Sequence, residues 1–314
     1  MGYFPSEAFS TPMSQEDGFL AGPWRTPLQM LSEQSYDQHA SIHDDATALK
    51  LGFKGGTIEG PTHFSQFAPL GEAVFGQDWF VRGCLSVHYR SPVYEGDKVR
   101  ALMDMPDVSG VATVRMTKAD GTEVLSGTAS LQGHGTTALS ERLLTLPPLV
   151  KPVLLHGISV GQKSGRMPAV MGHDQPMGAL YPFSLSDKLK RITEPSAWYS
   201  DASPFGGAII PMEMMSVLLG YQGHAEFSAR GPSVGLFADQ EICLHQGPLF
   251  VGEAFEIERE VIALSGSRRT ESVWIQTRAF RPGASTPCVR MLLNVATLKE
   301  SYSRYDTDHA AMYG

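Results

Sequence analysis

Two periodicities alternate along this chain, and they do so twice in the same order. In the first half, Phe64, Phe67, Ala68 and the pair Val74–Phe75 recur at helical spacing, which predicts a helix with a continuous apolar face. CLSVHYRSPV then alternates: Leu85, Val87 and Tyr89 share one face, and Ser86, His88 and Arg90 the other, the period of a strand. VRMTKADGTEVLSGTASL predicts a hairpin about Ala119-Asp120-Gly121, because Asp-Gly supplies the positive φ of a tight turn. In the second half, Met212, Met215, Val217, Leu218 and Tyr221 leave little polar face, so that helix is expected to be buried.

The repetition extends to the punctuation. Gly55-Gly56 correspond to Gly206-Gly207, each pair opening an apolar helical stretch, and Pro92…Gly96 correspond to Pro248…Gly252. A shared order of features is the mark of an internal duplication. A buried helix with an antiparallel sheet, written twice, predicts an α+β architecture. The expected division is an N-terminal unit over 1–140, a connector over 141–180 and a C-terminal unit over 181–314. The connector contains LPPLVKP, extended because each proline turns its predecessor away from helix and apolar enough to pack on the two units.

Composition narrows the partners. The 314 residues are 42% hydrophobic with a net charge of -8, an ordinary globular balance. Binding a phosphate backbone or an anionic membrane needs concentrated positive charge, so neither nucleic acid nor membrane is expected. The basic clusters KLKR (188–191) and Arg268-Arg269 read as solvated surface or as a local site for a phosphorylated ligand. Cys84, Cys243 and Cys288 are far apart, which fits buried thiols in a reducing, cytoplasmic setting. No Cys/His spacing suggests a metal, and no cofactor is expected. The N-terminus lacks the basic and apolar regions of a secretory signal; its loose match to a myristoylation pattern is read as accidental. No apolar run approaches a membrane span.

The densest group of acid/base side chains is YDQHASIHDD (36–45), just before GFKGGTIEG. Ile42-His43, followed by Ala48 and Gly52-Phe53, and the later Pro92-Val93-Tyr94-Glu95-Gly96-Asp97 resemble the loop and strand segments of the MaoC-like (R)-specific enoyl-CoA hydratases and dehydratases of the hotdog superfamily. The departures are specific. Gln38 stands five residues before His43, where the family has Asp, with Asp37 beside it; Ala40-Ser41 replace Asn-Pro. The second unit's counterpart, YSDASPFGG, has an Asp and no His. The resemblance implies a tandem (double) hotdog, each unit a long central helix wrapped by an antiparallel sheet, with a working first half and a non-catalytic second.

It further implies a lyase that hydrates a 2-enoyl thioester or runs the reverse 3-hydroxyacyl dehydration. The substrate would be carried on CoA or a carrier protein, and a homodimer is a candidate assembly. Such chemistry needs a base for water, a proton donor to Cα and a donor to the enolate-like oxygen. His43 with Asp37 is the expected dyad, with His39, Asp45 and Glu59 as alternates. Gly55, Gly56 and Gly60 are expected to present backbone N–H groups to the thioester. Phe64 and Phe67, with the Met212–Met215 helix, are expected to line an acyl tunnel between the units. Asp44 or Ser41 reads equally as the cap of a short helix through ATALKLGF, and Gly55-Gly56 as turn residues. Glu213, on an apolar helix, is either a buried carboxylate with a raised pKa or an exposed helix start. Two rival functions use the same fold: thioester hydrolysis through Glu59, Asp45 or Glu213, and binding of an acyl-CoA or small hydrophobe without turnover.

Overall fold

The computed structural model describes residues 6–34, 39–221, 223 and 226–314. The described strands form a single antiparallel sheet. They are β1 (Ser14–Glu16), β2 (Phe19–Ala21), β3 (Gly83–Tyr89), β4 (Val99–Met103), β5 (Val111–Lys118), β6 (Glu123–Leu131), β7 (Met167–Val170), β8 (Gly235–Leu244), β9 (Ala254–Gly266), β10 (Thr270–Phe280) and β11 (Val289–Leu298). Their spatial order is β1-β2-β4-β5-β6-β3-β8-β11-β10-β9-β7. The inner eight are two copies of one pattern, since β3-β6-β5-β4 and β8-β11-β10-β9 have the same connectivity read outward from the seam. At that seam β3 and β8 pair directly, with Cys84 opposite Cys243. The two units thus join through equivalent strands, as a two-fold interface would.

The α-helices are α1 (Asp45–Lys50), α2 (Ala68–Phe75), α3 (Asp78–Arg82), α4 (Ala138–Leu143), α5 (Leu185–Leu189), α6 (Met212–Gly220) and α7 (Tyr305–Tyr313). The first unit's central helix is composite: Gly60–Phe67 is a 3-10 segment that continues as α2. Pro61 and Pro69 explain the break, because neither can donate an N–H and Pro69 would clash with the carbonyl four residues back in a continuous α-helix. The second central helix, α6, is buried along its length except at Gly220, as its apolar sequence predicts. Both pack on one face of the sheet, where Phe64, Phe67, Leu70, Leu85, Val87, Met214 and Leu218 are fully buried.

The duplication reaches single hydrogen bonds. Ile58 N–H donates to Val93 O (2.7 Å) and Ile210 N–H to Leu249 O (2.9 Å). Each partner lies in the Pro-x-x-x-Gly segment, where Gly96 and Gly252 both take positive φ. Upstream, Thr57 N–H donates to Ile42 O and Ile209 N–H to Trp198 O, which puts Tyr199 where the first unit has His43. The Ala119-Asp120-Gly121 hairpin is present, with Gly121 at φ 85°.

The polar face of β3 is covered at Ser86, while His88 stays partly exposed. Ser86 is fully buried and its Oγ accepts the Leu139 N–H at the start of α4 (3.0 Å). Residues 148–163 run along β9 and β10, with bridges Pro148↔Ser265 and Lys163↔Glu260. All three cysteines are free and buried. No helix among the described residues is long and apolar enough to cross a membrane.

Candidate functional site

The seam opens where its two strands part. β3 and β8 pair as far as His88 opposite Asp239, and beyond that point a cavity of about 650 Å³ lies between the units. The first unit contributes Ile42, His43, Glu59, Gly60, His63 and Tyr89; the second contributes Tyr181, Ser216, Leu219, Phe237 and Leu293. Such a volume, apolar with a few convergent polar groups, is typical of a small-molecule site.

His43 is held by the short-range chemistry around it. Asp44 caps α1, its Oδ1 accepting the Thr47 N–H (2.8 Å), which ends the loop just after His43. Asp45 Oδ1 accepts the Gly56 N–H (2.7 Å). A Cβ on Gly56 would stand 2.3 Å from His43 O, so the close approach of the two segments requires glycine. The imidazole Nδ1 lies 2.7 Å from Thr57 O. A carbonyl only accepts, so Nδ1 carries the hydrogen and Nε2 is left as the basic nitrogen. Burial lowers the His43 pKa, and nearby Lys188 adds to this; the Thr57 carbonyl and Glu59 oppose but do not overcome it. The ring is therefore a neutral base at neutral pH.

Glu59 is the carboxylate in the same wall. It stands at the head of the 3-10 segment, fully buried. Its Oε1 accepts from Lys188 Nζ and from Thr62 Oγ1 (2.9 Å), while Oε2 has no hydrogen-bond partner among the described residues. Burial alone would raise its pKa, but the Lys188 ammonium, with help from His43 and Thr62, holds it below the usual carboxylate value. Behind it, Glu213 Oε2 is 3.6 Å from Lys188 Nζ. Burial, reinforced by Glu59 and opposed by Lys188, pushes the Glu213 carboxyl up to about 7. His63, on the cavity wall with Nδ1 unpartnered among the described residues, is pushed down to about 4 by burial and Lys188.

The remaining expected residues divide sharply. Asp37 lies outside the described residues. His39 borders the cavity, with Nδ1 3.1 Å from Ser233 O. Asp45 is exposed and committed to Gly56, and neither Gly55 nor Gly56 is in the cavity wall. Gly60 is in the wall, against Tyr89, whose ring a Cβ at Gly60 would meet at 2.6 Å. Its N–H makes no hydrogen bond among the described residues. Phe64 and Phe67 are fully buried in the core rather than on the wall. From α6 it is the C-terminal end, Ser216, Leu219 and Gly220, that faces the cavity, not Met212–Met215.

The KLKR cluster needs correction, because Lys188 is 3% exposed and sits between two carboxylates, not in solvent. The readable signal was its spacing: Leu185 precedes it by three, which puts both on one helical face. Tyr181 carried no local signal. Among the described residues no group of three or more His, Cys, Asp or Glu side chains is placed to hold a metal ion.

No protein-family model matches the sequence, and no curated protein matches it. Solved structures do. One, described as a MaoC domain protein dehydratase from Chloroflexus aurantiacus J-10-fl, superposes with a TM-score of 0.55 at 14% identity, covering 93% of this chain and 95% of that one. A second, a conserved hypothetical protein of Mycobacterium tuberculosis with a double hotdog fold, gives 0.53 at 12% identity over 88% and 94%. Equivalent strands at the seam, two central helices on one sheet face and these superpositions agree: the chain is an α+β double hotdog, similar in fold to MaoC-like dehydratases.

Proposed function

We propose that this protein is a lyase that hydrates 2-enoyl thioesters, or dehydrates the corresponding 3-hydroxyacyl thioesters, in the cavity at the seam. One observation carries the reading. A neutral imidazole with Nε2 free and an ionised carboxylate with Oε2 free share one wall of an otherwise largely apolar cavity. His43 Nε2 takes a proton from water, and the ionised Glu59 beside it stabilises the imidazolium that forms. The water oxygen bonds to C3, and the electron pair moves through C2 to the thioester oxygen, where the Gly60 N–H stabilises the charge. The proton held on His43 then passes to C2. No group is consumed. The fold similarity to MaoC-like dehydratases supports the same chemistry, and the apolar wall from Ile42 to Leu293 suits an acyl chain.

Thioester hydrolysis is the second reading, favoured by an ionised Glu59 at the head of a helical segment, where it could direct water at the carbonyl carbon. A panel of 2-enoyl-CoA thioesters separates the two: loss of enoyl absorbance without free thiol is hydration, and thiol release is hydrolysis. Binding without either would leave a ligand-binding protein. His43→Ala is expected to lower hydration by roughly 10²–10⁴-fold; an unchanged rate would remove His43 from the mechanism.

A further inference from the structure

The first unit's site contains a side chain that belongs to the second. Lys188 lies on α5, whose start is set by the reciprocal Ser184–Asp187 capping box. Its ammonium faces Glu59 from the first unit and Glu213 from the first turn of α6. It donates to Glu59 Oε1 and to Thr62 Oγ1 (2.7 Å). Thr62 Oγ1 in turn donates to that same Oε1 (2.9 Å). Glu213 stands farther off, at 3.6 Å, and neither of its oxygens has a hydrogen-bond partner among the described residues.

One ammonium between two buried carboxylates leaves an excess negative charge if both ionise, and an apolar interior resists that strongly. One carboxyl must keep a proton. Glu59 has the direct ammonium bond and the threonine hydroxyl, so its charge is the better compensated. Both donors occupy Oε1, which leaves Oε2 buried and without a donor among the described residues.

We propose that Lys188 is the positioning residue of the seam site: it holds Glu59 ionised with Oε2 free, while Glu213 carries the proton of the triad. The kinetic consequence rests on the hydration reading; the charge assignment does not. The site is then incomplete without the second unit, which supplies both the counter-charge and the proton-bearing partner. The other titratable groups around the triad leave its charge unaltered near neutrality. His43 and His63 are neutral, and burial holds the protons on Tyr89, Tyr181 and Tyr199. Lys118, on β5, adds a more distant positive charge felt at His63.

Infrared spectroscopy of the carboxyl C=O stretch tests the assignment in the full-length protein without requiring any substrate. At pH 6 the wild type is expected to show a buried protonated carboxyl whose C=O stretch shifts in Glu213→Asp and stays in place in Glu59→Asp, since both variants keep two carboxyls around one ammonium. In a Glu213→Gln background, Lys188→Met should create a new protonated-carboxyl band that a further Glu59→Gln removes. Kinetically, Lys188→Met should lower hydration at pH 7 roughly a hundredfold and move the acid limb of the pH profile up by about a unit or more. Lys188→Arg should return the limb towards its original position. A wild-type band belonging to Glu59, or a rate loss with the limb unmoved, would overturn the proposal. If Lys188→Met does not fold, the wild-type spectra and Lys188→Arg still decide it. If the wild type hydrates no enoyl thioester, the hydration reading fails while the infrared result still judges the triad.

Discussion

Glu213 and His63 show how a buried titratable group ties stability to pH. The Glu213 carboxyl is raised to about 7 from an ordinary 4.5, so the folded chain keeps a proton that the unfolded chain releases. Its contribution is full below about pH 4.5 and is lost as pH rises through about 7, a swing of roughly 3 kcal/mol. His63, lowered from 6.5 to about 4, acts in the opposite sense: its contribution is present above pH 6.5 and is lost as pH falls through 4. Chemical denaturation at pH 5 and pH 8 should therefore show Glu213→Gln losing less stability across that interval than the wild type, by roughly 3 kcal/mol. An identical pH dependence in both proteins would mean that Glu213 is ionised throughout. Neither direction is readable from MEMMSVLLG or PTHFSQF alone. Burial decides both, and burial is a property of what packs against these helices.

At the level of elements, local chemistry explains much of what forms. The Asp120-Gly121 turn and the alternation of β3 are direct readings of sequence. The first central helix, expected to run unbroken through residues 64–75, is composite, since Pro69 sits where an α-helix would need an N–H. What local pattern does not reveal is how distant segments are clamped. Glu271, on β10 and fully buried, accepts the Val153 N–H and the Leu155 N–H (both 2.9 Å) and the Tyr305 hydroxyl (2.8 Å). One carboxylate thus fastens both the chain between the units and α7 to the sheet. Glu271→Gln leaves one of those donors facing an NH2 group, and the expected loss is about 3 kcal/mol. Limited proteolysis should then begin cutting within 146–155. A variant with unchanged melting temperature and cleavage pattern would show that the clamp is redundant. Glu271 follows a Thr in an ordinary strand, and nothing in its neighbourhood marks it as a three-way acceptor.

For the whole molecule, the seam is both a structural joint and the place where the site is assembled. β3 and β8 close the sheet, and the cavity takes its walls from both sides of that joint. Residues 1–140 and 141–314 expressed separately are each expected to lack thioester binding and turnover, and mixing them should restore both if the halves re-pair. Activity in the first half alone would show that the second contributes neither Lys188 nor the acyl wall. Sequence by itself was enough for the duplication and for the strands and buried helices of each copy, because periodicity and turn residues are short-range properties. Even so, it pointed to Phe64 and Phe67 as wall residues that are core. It also read the Lys188 cluster as solvated surface or a site for a phosphorylated ligand, although the structure sets Lys188 between Glu59 and Glu213. Those are questions of which surfaces meet across the seam, as Lys188 and Glu59 do from 129 positions apart. Only the folded packing of one unit against the other answers them, because desolvation and charge pairing arise when those surfaces close.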